Sequence, residues 1–329
     1  MLRILHDTKF DFIRWWKRAV GITAAFVVIG FSTFAFSDIK YSIEFTSGTM
    51  MQLEFTDPVD VGTLRSRLQS AGFRSAEIQQ FGSNREFTIR AQESESATGA
   101  TTGAEKVAKQ IEAVLVDSYG AEKVRVMRTE AVSPRVGKEL SRNAVIAVLL
   151  SFLVTTVYLA IRFEWRFGLA ALAATFHDVF VTIAFIKMMQ LEVSLTVIAA
   201  ILTVIGYSLN DTIIIFDRVR ENLRKGRKES TRETLNRSIN ETLPRSVLTH
   251  ATTISATLAL LFFAGDVIRP FAWVMTFGVI VGSFSSHFVA GPVLLWIERK
   301  WPRKSSLSRG SSTATRTSPT KRSTATAPV

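Results

Sequence analysis

The sequence predicts a polytopic α-helical membrane protein with one folded α+β domain outside the membrane. Six segments are apolar, and each is long enough to cross a hydrocarbon core of about 30 Å, which takes roughly 20 helical residues. The predicted spans are 19–36, 143–161, 167–186, 193–216, 247–264 and 271–297. The first transmembrane segment is bounded at 19–37, and the other five fall within 142–297. Between the first and second spans, at 38–141, apolar residues recur at the spacings of short strands and short helices, which indicates a separate folded unit.

The distribution of charge predicts the orientation of the chain. The protein is 47% hydrophobic, yet its 40 lysines and arginines give a formal net charge of +12. Outside 38–141, most basic residues lie in the N-terminal segment 1–18, the connection 217–246 and the tail 298–329. Basic connections remain on the cytoplasmic side, so both termini are predicted to be cytoplasmic and 38–141 extracytoplasmic. This distribution accounts for the charge without a nucleic-acid partner.

A cleavable signal peptide is the alternative interpretation of the first span. Lys17 and Arg18 precede the span, and Ala35-Phe36-Ser37 loosely resembles a cleavage site. The apolar run exceeds the roughly 7 to 15 residues of a signal peptide, and five more spans follow it. A permanent transmembrane helix is therefore favoured.

The extracytoplasmic domain begins with a predicted strand. Apolar residues alternate at Ile43 and Phe45 and again at Met51, Leu53 and Phe55, with an irregularity at Gly48. A helix then starts near Asp60 and stops at Gly72, followed by strands at 76–81 and 86–91, a polar linker at 92–103, a helix at 104–118 and a strand at 122–132. This β-α-β-β-α-β order is that of the split βαβ, ferredoxin-like unit.

The C-terminal tail, 298–329, is predicted to be disordered and basic. From residue 302 it is rich in Ser, Thr, Lys and Arg and lacks an apolar period. A solubilising role is favoured over weak attraction to anionic membrane lipid.

The residue types available argue against an enzyme. The chain has no cysteine, and its four histidines leave the extracytoplasmic domain without one. No glycine-rich phosphate loop or catalytic constellation is present. We therefore expect no catalytic residue, no metal site and no cofactor.

Two polar pairs interrupt the predicted spans. His177 and Asp178 lie midway along the third span, and Asn210 and Asp211 lie in the fourth. An ionised side chain near the bilayer centre costs roughly 2.5 to 3.5 kcal/mol on insertion scales, so such residues usually face inward and serve function. A buried carboxyl whose surroundings change can take up and release a proton, which makes Asp211 the predicted coupling residue.

The fifth span supplies a possible counter-ion for Asp211. Arg245, Thr249, Thr252 and Thr253 recur at helical spacing and form one polar stripe. If this stripe faces the fourth span, Arg245 approaches Asp211. The predicted coupling set is Asp211, Arg245, Asn210 and Thr212, with His177, Asp178, Thr249 and Thr253 as secondary polar candidates.

Helix packing is the competing explanation for these polar residues. Hydrogen bonds between helices alone account for Asn210 and for the His177-Asp178 pair as readily as ion coupling does. His250 and His287 are interpreted as packing residues. Gly278 and Gly282, spaced four apart in the sixth span, are predicted to allow close helix approach.

Seven sequence motifs follow one another along the chain. The most specific is "GYSLNDTIIIFDRVREN" at 206–222. The others are "KFDFIRWWKRAV", "SIEFTSGT", "VSPRVGKEL", "HD", "NETLPRSVLTHATT" and "GDVIRPFAWVMTFGVIVGSFSSHFVAGP". Together and in this order they resemble the SecF family, the smaller subunits of the SecDF protein-export complex in the RND superfamily. The chain departs from the family pattern at Glu44 and Ser47, at Pro244, for which a first-turn position is expected, and at His250 and Pro270.

The resemblance implies a multi-pass protein of the bacterial cytoplasmic (inner) membrane. It implies a heterodimer with SecD that works beside the SecY channel and the SecA motor, and uses the proton motive force to promote export of unfolded polypeptide. The family's intramembrane aspartate falls on Asp211 and its functional arginine on Arg245. Two other classes remain open: a proton-coupled small-molecule exporter of the RND superfamily and an uncoupled translocase scaffold. Sodium also remains open as the coupling ion.

Overall fold

The structure is a computed structural model that describes residues 8–36, 38–73, 76–80, 83–91, 102–225, 229–265 and 267–302. Most of the predicted linker and the predicted disordered tail beyond residue 302 lie outside the described residues. The elements follow one another as α1 (Phe12–Ser32), a 3₁₀ turn (Thr33–Ala35), α2 (Ile43–Thr46), β1 (Gly48–Phe55), α3 (Val61–Ser70), β2 (Glu77–Gln80), β3 (Glu86–Ala91), α4 (Thr102–Tyr119), β4 (Val124–Val132), α5 (Pro134–Arg162), α6 (Trp165–Met188), α7 (Leu195–Arg224), α8 (Thr231–Phe263), α9 (Arg269–Ser285), a π-helical segment (Ser286–Ala290) and α10 (Gly291–Lys300).

Six helical stretches in the described part of the chain are long and apolar enough to cross a membrane, which confirms the predicted number. They are α1 with its 3₁₀ turn, α5, α6, α7, α8, and α9 with its continuation through the π segment into α10. The helices α6, α7 and α9 are largely buried, whereas α1 and α5 expose most of their apolar surface. We call α6, α7, α9, the π segment and α10 the helical core.

The connection predicted at 217–246 is mostly helical. The fourth membrane helix, α7, continues to Arg224, and α8 begins at Thr231 because Ser230 and Glu233 form a capping box at its start. Pro244 consequently lies well inside α8, so its predicted first-turn position is wrong. The two helix extensions bind each other through Arg218, whose Nε donates to Glu241 at 2.6 Å.

The domain at 38–141 is a four-stranded antiparallel sheet covered by two helices. The strands lie in the order β2-β3-β1-β4, so β3 separates the two strands that flank α3, and β1 separates the two that flank α4. This is the predicted β-α-β-β-α-β order with split βαβ connections. Alternate residues of β1 and β3 are buried against α3 and α4, and they form the domain core with Leu64, Leu68, Ile111 and Leu115.

The first strand is shorter than predicted. Ile43 and Phe45 belong to the helical turn α2, and β1 begins only at Gly48. Ser42 caps this turn by accepting a hydrogen bond from the backbone N–H of Glu44, a local bond that the period-two pattern does not reveal. The chain then reverses at Ser47 and Gly48, whose φ angles are 66° and 122°.

Contacts with the turn between α6 and α7 fix the domain to the membrane helices. The Glu44 carboxylate accepts a hydrogen bond from the backbone N–H of Leu195, at the start of α7, at 2.6 Å. Backbone hydrogen bonds also join Val193 to Lys40 and to Ser42, and Arg90 of β3 forms an ion pair with Glu192. The sheet domain is therefore connected directly to the N-terminal end of α7.

Candidate functional site

Asp211 lies in the middle of α7 and is buried, with a relative exposure of 5%. Its Oδ1 accepts a hydrogen bond from the Ser246 hydroxyl of α8 at 2.5 Å. Its Oδ2 is buried without a hydrogen-bond partner among the described residues, and it lies 3.9 Å from Nδ1 of His287 in the π segment. One oxygen of this carboxyl is therefore satisfied and the other is not.

Arg245 does not meet Asp211. Its side chain is exposed and forms no ion pair with any residue that the structure describes. The stripe predicted on α8 is displaced by one residue: Ser246 faces α7, while Arg245, Thr249 and Thr252 are exposed. Because Ser246 contacts Asp211, its neighbour Arg245 lies at the same level of the bundle but points away from the core.

The inner face of α8 continues from Ser246 through His250 to Thr253. The Tyr207 hydroxyl of α7 lies 3.1 Å from Oγ1 of Thr253 and donates to the backbone carbonyl of Thr249 at the same distance. The ring of His250 packs edge-on against Tyr207, with a centroid distance of 5.4 Å. Thr253 thus belongs to the α7–α8 interface through its side chain, whereas Thr249 belongs to it through its backbone.

The neighbours of Asp211 on α7 point in opposite directions. Thr212 is buried, and its hydroxyl lies 2.8 Å from that of Ser286 in the π segment. Asn210 is exposed on the outer surface of α7. Of the predicted coupling set, the core therefore contains Asp211 and Thr212, while Asn210 and Arg245 lie on its surface.

Asp178 forms a second polar centre in α6, with a relative exposure of 1%. Its Oδ2 accepts hydrogen bonds from Ser208 of α7 at 2.5 Å and from Ser285 of α9 at 2.7 Å. Its Oδ1 lies 3.0 Å from Nδ1 of His177, and Nε2 of that ring lies 2.9 Å from the Thr23 hydroxyl of α1. The network joins four membrane helices and leaves neither carboxylate oxygen without a partner.

Three consecutive residues connect the two centres. Ser285 binds Asp178, Ser286 contacts Thr212, and His287 faces Asp211. The chain turns from α9 into the π segment at this point. Residues 285–287 therefore form the junction between the two polar centres. π-helical turns such as this one occur frequently at functional sites.

Two glycines bring α9 against α7. A Cβ atom on Gly278 would lie 2.4 Å from a methyl carbon of Val204, and one on Gly282 would lie 2.9 Å from Cβ of Ser208. Neither position has room for a side chain. This close approach of α9 to α7 places Ser285 within hydrogen-bonding distance of Asp178, which lies on α6.

The sequence pattern did not reveal the serines of the two polar centres or the contact between His287 and Asp211. Serine at 208, 246, 285 and 286 supplies the hydroxyls that face Asp178, Asp211 and Thr212. Ser246 and His250 are spaced four apart, so their spacing indicates one face of α8 as clearly as the spacing of the threonines does. Among the described residues, no group of three or more His, Cys, Asp or Glu side chains is arranged to hold a metal ion.

The chain matches the family model of the protein export membrane protein SecD/SecF, C-terminal, over residues 111–300. It is 59% identical over 305 residues to the protein translocase subunit SecF of Gemmatimonas aurantiaca, which covers 92% of this chain and 91% of that protein. It is 37% identical over 296 residues to the protein translocase subunit SecF of Vibrio alginolyticus, which covers 90% of this chain and 92% of that protein.

Two solved structures share the fold. One is a crystal structure of SecDF, a translocon-associated membrane protein, from Thermus thermophilus, with a TM-score of 0.78 and 34% identity over 91% of this chain. The other is SecDF in a super-membrane-facing form, with a TM-score of 0.64 and 35% identity over 90% of this chain. This chain spans 40% of the length of either SecDF chain. Because the family model covers more than half of the chain and the relatives match nearly all of it, this chain belongs to the SecD/SecF family of protein-export membrane proteins.

Proposed function

We propose that this chain is the SecF subunit of a SecDF complex that uses the proton motive force to promote export of unfolded polypeptide. In this proposal it pairs with SecD and acts beside the SecY channel and after the SecA motor, and it catalyses no covalent chemistry. The relatives named protein translocase subunit SecF support the subunit assignment. The SecDF crystal chains, which contain a matching unit within a longer chain, support the pairing.

The observation that carries ion coupling is the half-satisfied carboxyl of Asp211. A buried carboxylate whose hydrogen bonds are complete belongs to a fixed structure, whereas one with a free oxygen can bind a proton there. Asp211 is held between α7, α8 and the π segment. A change in its charge therefore acts on the packing of three membrane elements.

Exposed polar residues on the surface of the helix bundle, next to Asp211, support the presence of a partner subunit there. Asn210 and Arg245 are both exposed and flank the buried Asp211. Polar side chains inside a membrane normally face protein or water and not lipid. We infer that SecD covers this face and that Arg245 is available to a group of the partner.

The orientation follows from the same proposal. The multi-pass chain lies in the bacterial inner membrane with both termini in the cytoplasm, so the sheet domain is extracytoplasmic. The contact between Glu44 and the start of α7 then links the ion site to the domain that handles the emerging polypeptide. Motion of α7 is the proposed route between them.

The test is export by proteoliposomes that contain the full chain, SecD, the SecY channel and SecA. We expect Asp211→Asn to abolish the part of translocation that depends on a proton gradient, because a neutral amide neither binds a proton nor balances the charge of a proton bound beside it. Completion of translocation is measured with a proton gradient, with a sodium gradient and with neither. Ser255→Ala, which removes an exposed hydroxyl of α8 that bonds only within its own helix, is the matched control and should keep the full gradient response.

Three outcomes would contradict parts of the proposal. An undiminished gradient response in Asp211→Asn would remove Asp211 from coupling and favour helix packing as its role. A response to sodium alone would replace the proton as the coupling ion. The absence of any gradient response in the unmodified complex would favour an uncoupled translocase scaffold.

A further inference from the structure

We propose that His287 holds the proton of the coupling site and that the Asp211 carboxylate opposite it balances the charge. This inference rests on the proposed function, because it concerns the same ion site, and it assigns a role to a residue that the sequence analysis placed in packing. The observation behind it is a pair of buried groups 3.9 Å apart, each with one proton-accepting atom that has no hydrogen-bond partner among the described residues.

The geometry of the pair is direct. His287 and Asp211 are 4% and 5% exposed, and Nδ1 of the ring lies 3.9 Å from Oδ2 of the carboxyl. The same Nδ1 lies 2.6 Å from the backbone carbonyl of Ser283, which accepts its proton. This bond fixes the neutral tautomer with Nε2 unprotonated. Nε2 of His287 and Oδ2 of Asp211 are both buried without a hydrogen-bond partner among the described residues.

The charge of the site requires a proton. An unpaired carboxylate in a low-dielectric interior is costly, and the usual compensation is a cation or protonation. Arg245 is exposed, and within the described residues His287 is the one basic side chain within 4 Å of Asp211. A proton taken from water at Nε2, with Nδ1–H retained, converts the pair into a neutral imidazolium–carboxylate unit. Imidazole is also the more basic of the two groups in water.

The groups that surround the pair are few. On α8, His250 directs Nδ1 to the carbonyl of Ser246 at 2.5 Å, and its Nε2 is also buried without a partner among the described residues. On α6, Asp178 faces Ser285, two residues before His287. On α1, the uncharged ring of Phe12 packs against His287 with a centroid distance of 5.6 Å. The proton therefore has Asp211 as its nearest acidic partner and His250 as the nearest further basic group.

The position of His287 explains how the proton acts on the fold. Residues 285 and 286 contact Asp178 and Thr212, so His287 occupies the segment that joins both polar centres. A π-helical turn holds one residue more than an α-helical turn and can convert to one. Protonation of the pair strengthens the attraction between the π segment and α7, which biases this segment toward the observed conformation.

Infrared difference spectroscopy of the full chain purified with its partner subunit tests the assignment. The pH is stepped between about 8 and 5, the range in which histidine titrates. In the unmodified complex we expect an imidazolium signal. We expect no carboxylic-acid C=O stretch from Asp211, a band that would be identified by its loss in Asp211→Asn. In His287→Phe, which keeps an aromatic ring beside Phe12, we expect such a C=O stretch. The pH midpoint of proton uptake should change in this variant, because a different group accepts the proton.

The proposal would be overturned by a C=O stretch from Asp211 in the unmodified complex together with an unchanged pH midpoint of proton uptake in His287→Phe. It would also be overturned if the unmodified complex took up no proton at this site. His287→Gln provides a second variant if the phenylalanine disturbs folding. The infrared signal does not depend on translocation. An unmodified complex that shows the imidazolium signal but no gradient response in translocation would therefore contradict the proposed export function and leave the assignment of His287 intact.

Discussion

Asp178 and Asp211 are buried carboxylates of the same helical core, but their surroundings are opposite. Asp178 has partners on both oxygens, drawn from α6, α7 and α9. Asp211 has one hydrogen bond, to Ser246, and a second oxygen without one among the described residues. Burial alone therefore does not distinguish the two carboxyls. The complete network of Asp178 joins helices, and the incomplete one of Asp211 is the observation on which the proposed ion site rests.

The largest expected effect is on stability at Asp178. We expect Asp178→Ala to lower the free energy of unfolding by about 2 to 4 kcal/mol, because three interactions of roughly 0.6 to 1.7 kcal/mol each are lost and their partners remain buried. Asp211→Ala should cost about 1 kcal/mol, since it removes one such bond. Denaturant or thermal unfolding of both variants in detergent measures the difference. Equal losses would show that the two centres contribute alike to packing.

A somewhat smaller effect is expected at the contact that aligns the two centres. Gly278→Val places a side chain against Val204 and should destabilise the protein by about 1 to 3 kcal/mol through overpacking. Gly206→Ala is the matched control, since a Cβ there meets no atom within 4 Å, and it should be neutral or slightly stabilising. Thermal unfolding of the two variants is the measurement. A neutral Gly278→Val would show that α7 and α9 separate easily, which would weaken the role assigned to Ser285.

The smallest effect is expected in the sheet domain, at an ion pair that is exposed to solvent. Lys123 lies 2.9 Å from Asp57 on the surface, and its hydrogen bond and charge lower the pKa of the Asp57 carboxyl. The ion pair therefore contributes above the ordinary carboxyl pKa of about 3.9 and is lost as the pH falls through the lowered value. Because the pair is solvent-exposed, this contribution is small, and Asp57→Asn should affect unfolding at pH 7 much less than Asp178→Ala does. A loss at pH 7 as large as that of Asp178→Ala would show that exposed charge matters as much here as buried charge.

Local sequence patterns predicted most of the fold. The number of membrane helices and the β-α-β-β-α-β order follow from periods that are set residue by residue. The exceptions arise where a local hydrogen bond overrides the period. Ser42 caps a helical turn where Ile43 and Phe45 suggested a strand, and the capping box at Ser230 starts α8 before Pro244.

The candidate site was predicted less completely because it depends on helix rotation. A threonine stripe and a serine–histidine stripe both recur at helical spacing on α8, and a rotation of about 100° per residue separates adjacent positions. The spacing of Arg245, Thr249 and Thr253 could not show that the face one residue further along, at Ser246, meets Asp211. Packing against α7 and α9 selects that face.

The sequence by itself determined that this protein crosses the membrane six times and that Asp178 and Asp211 lie in apolar helices, because hydropathy and burial cost are properties of each segment. Tertiary structure alone decided which carboxyl is satisfied. Hydrogen-bond partners for these two residues come from other helices, at positions up to 107 residues away along the chain. Only the close approach of α9 to α7 and the turn of the π segment bring Ser285 to Asp178 and His287 to Asp211.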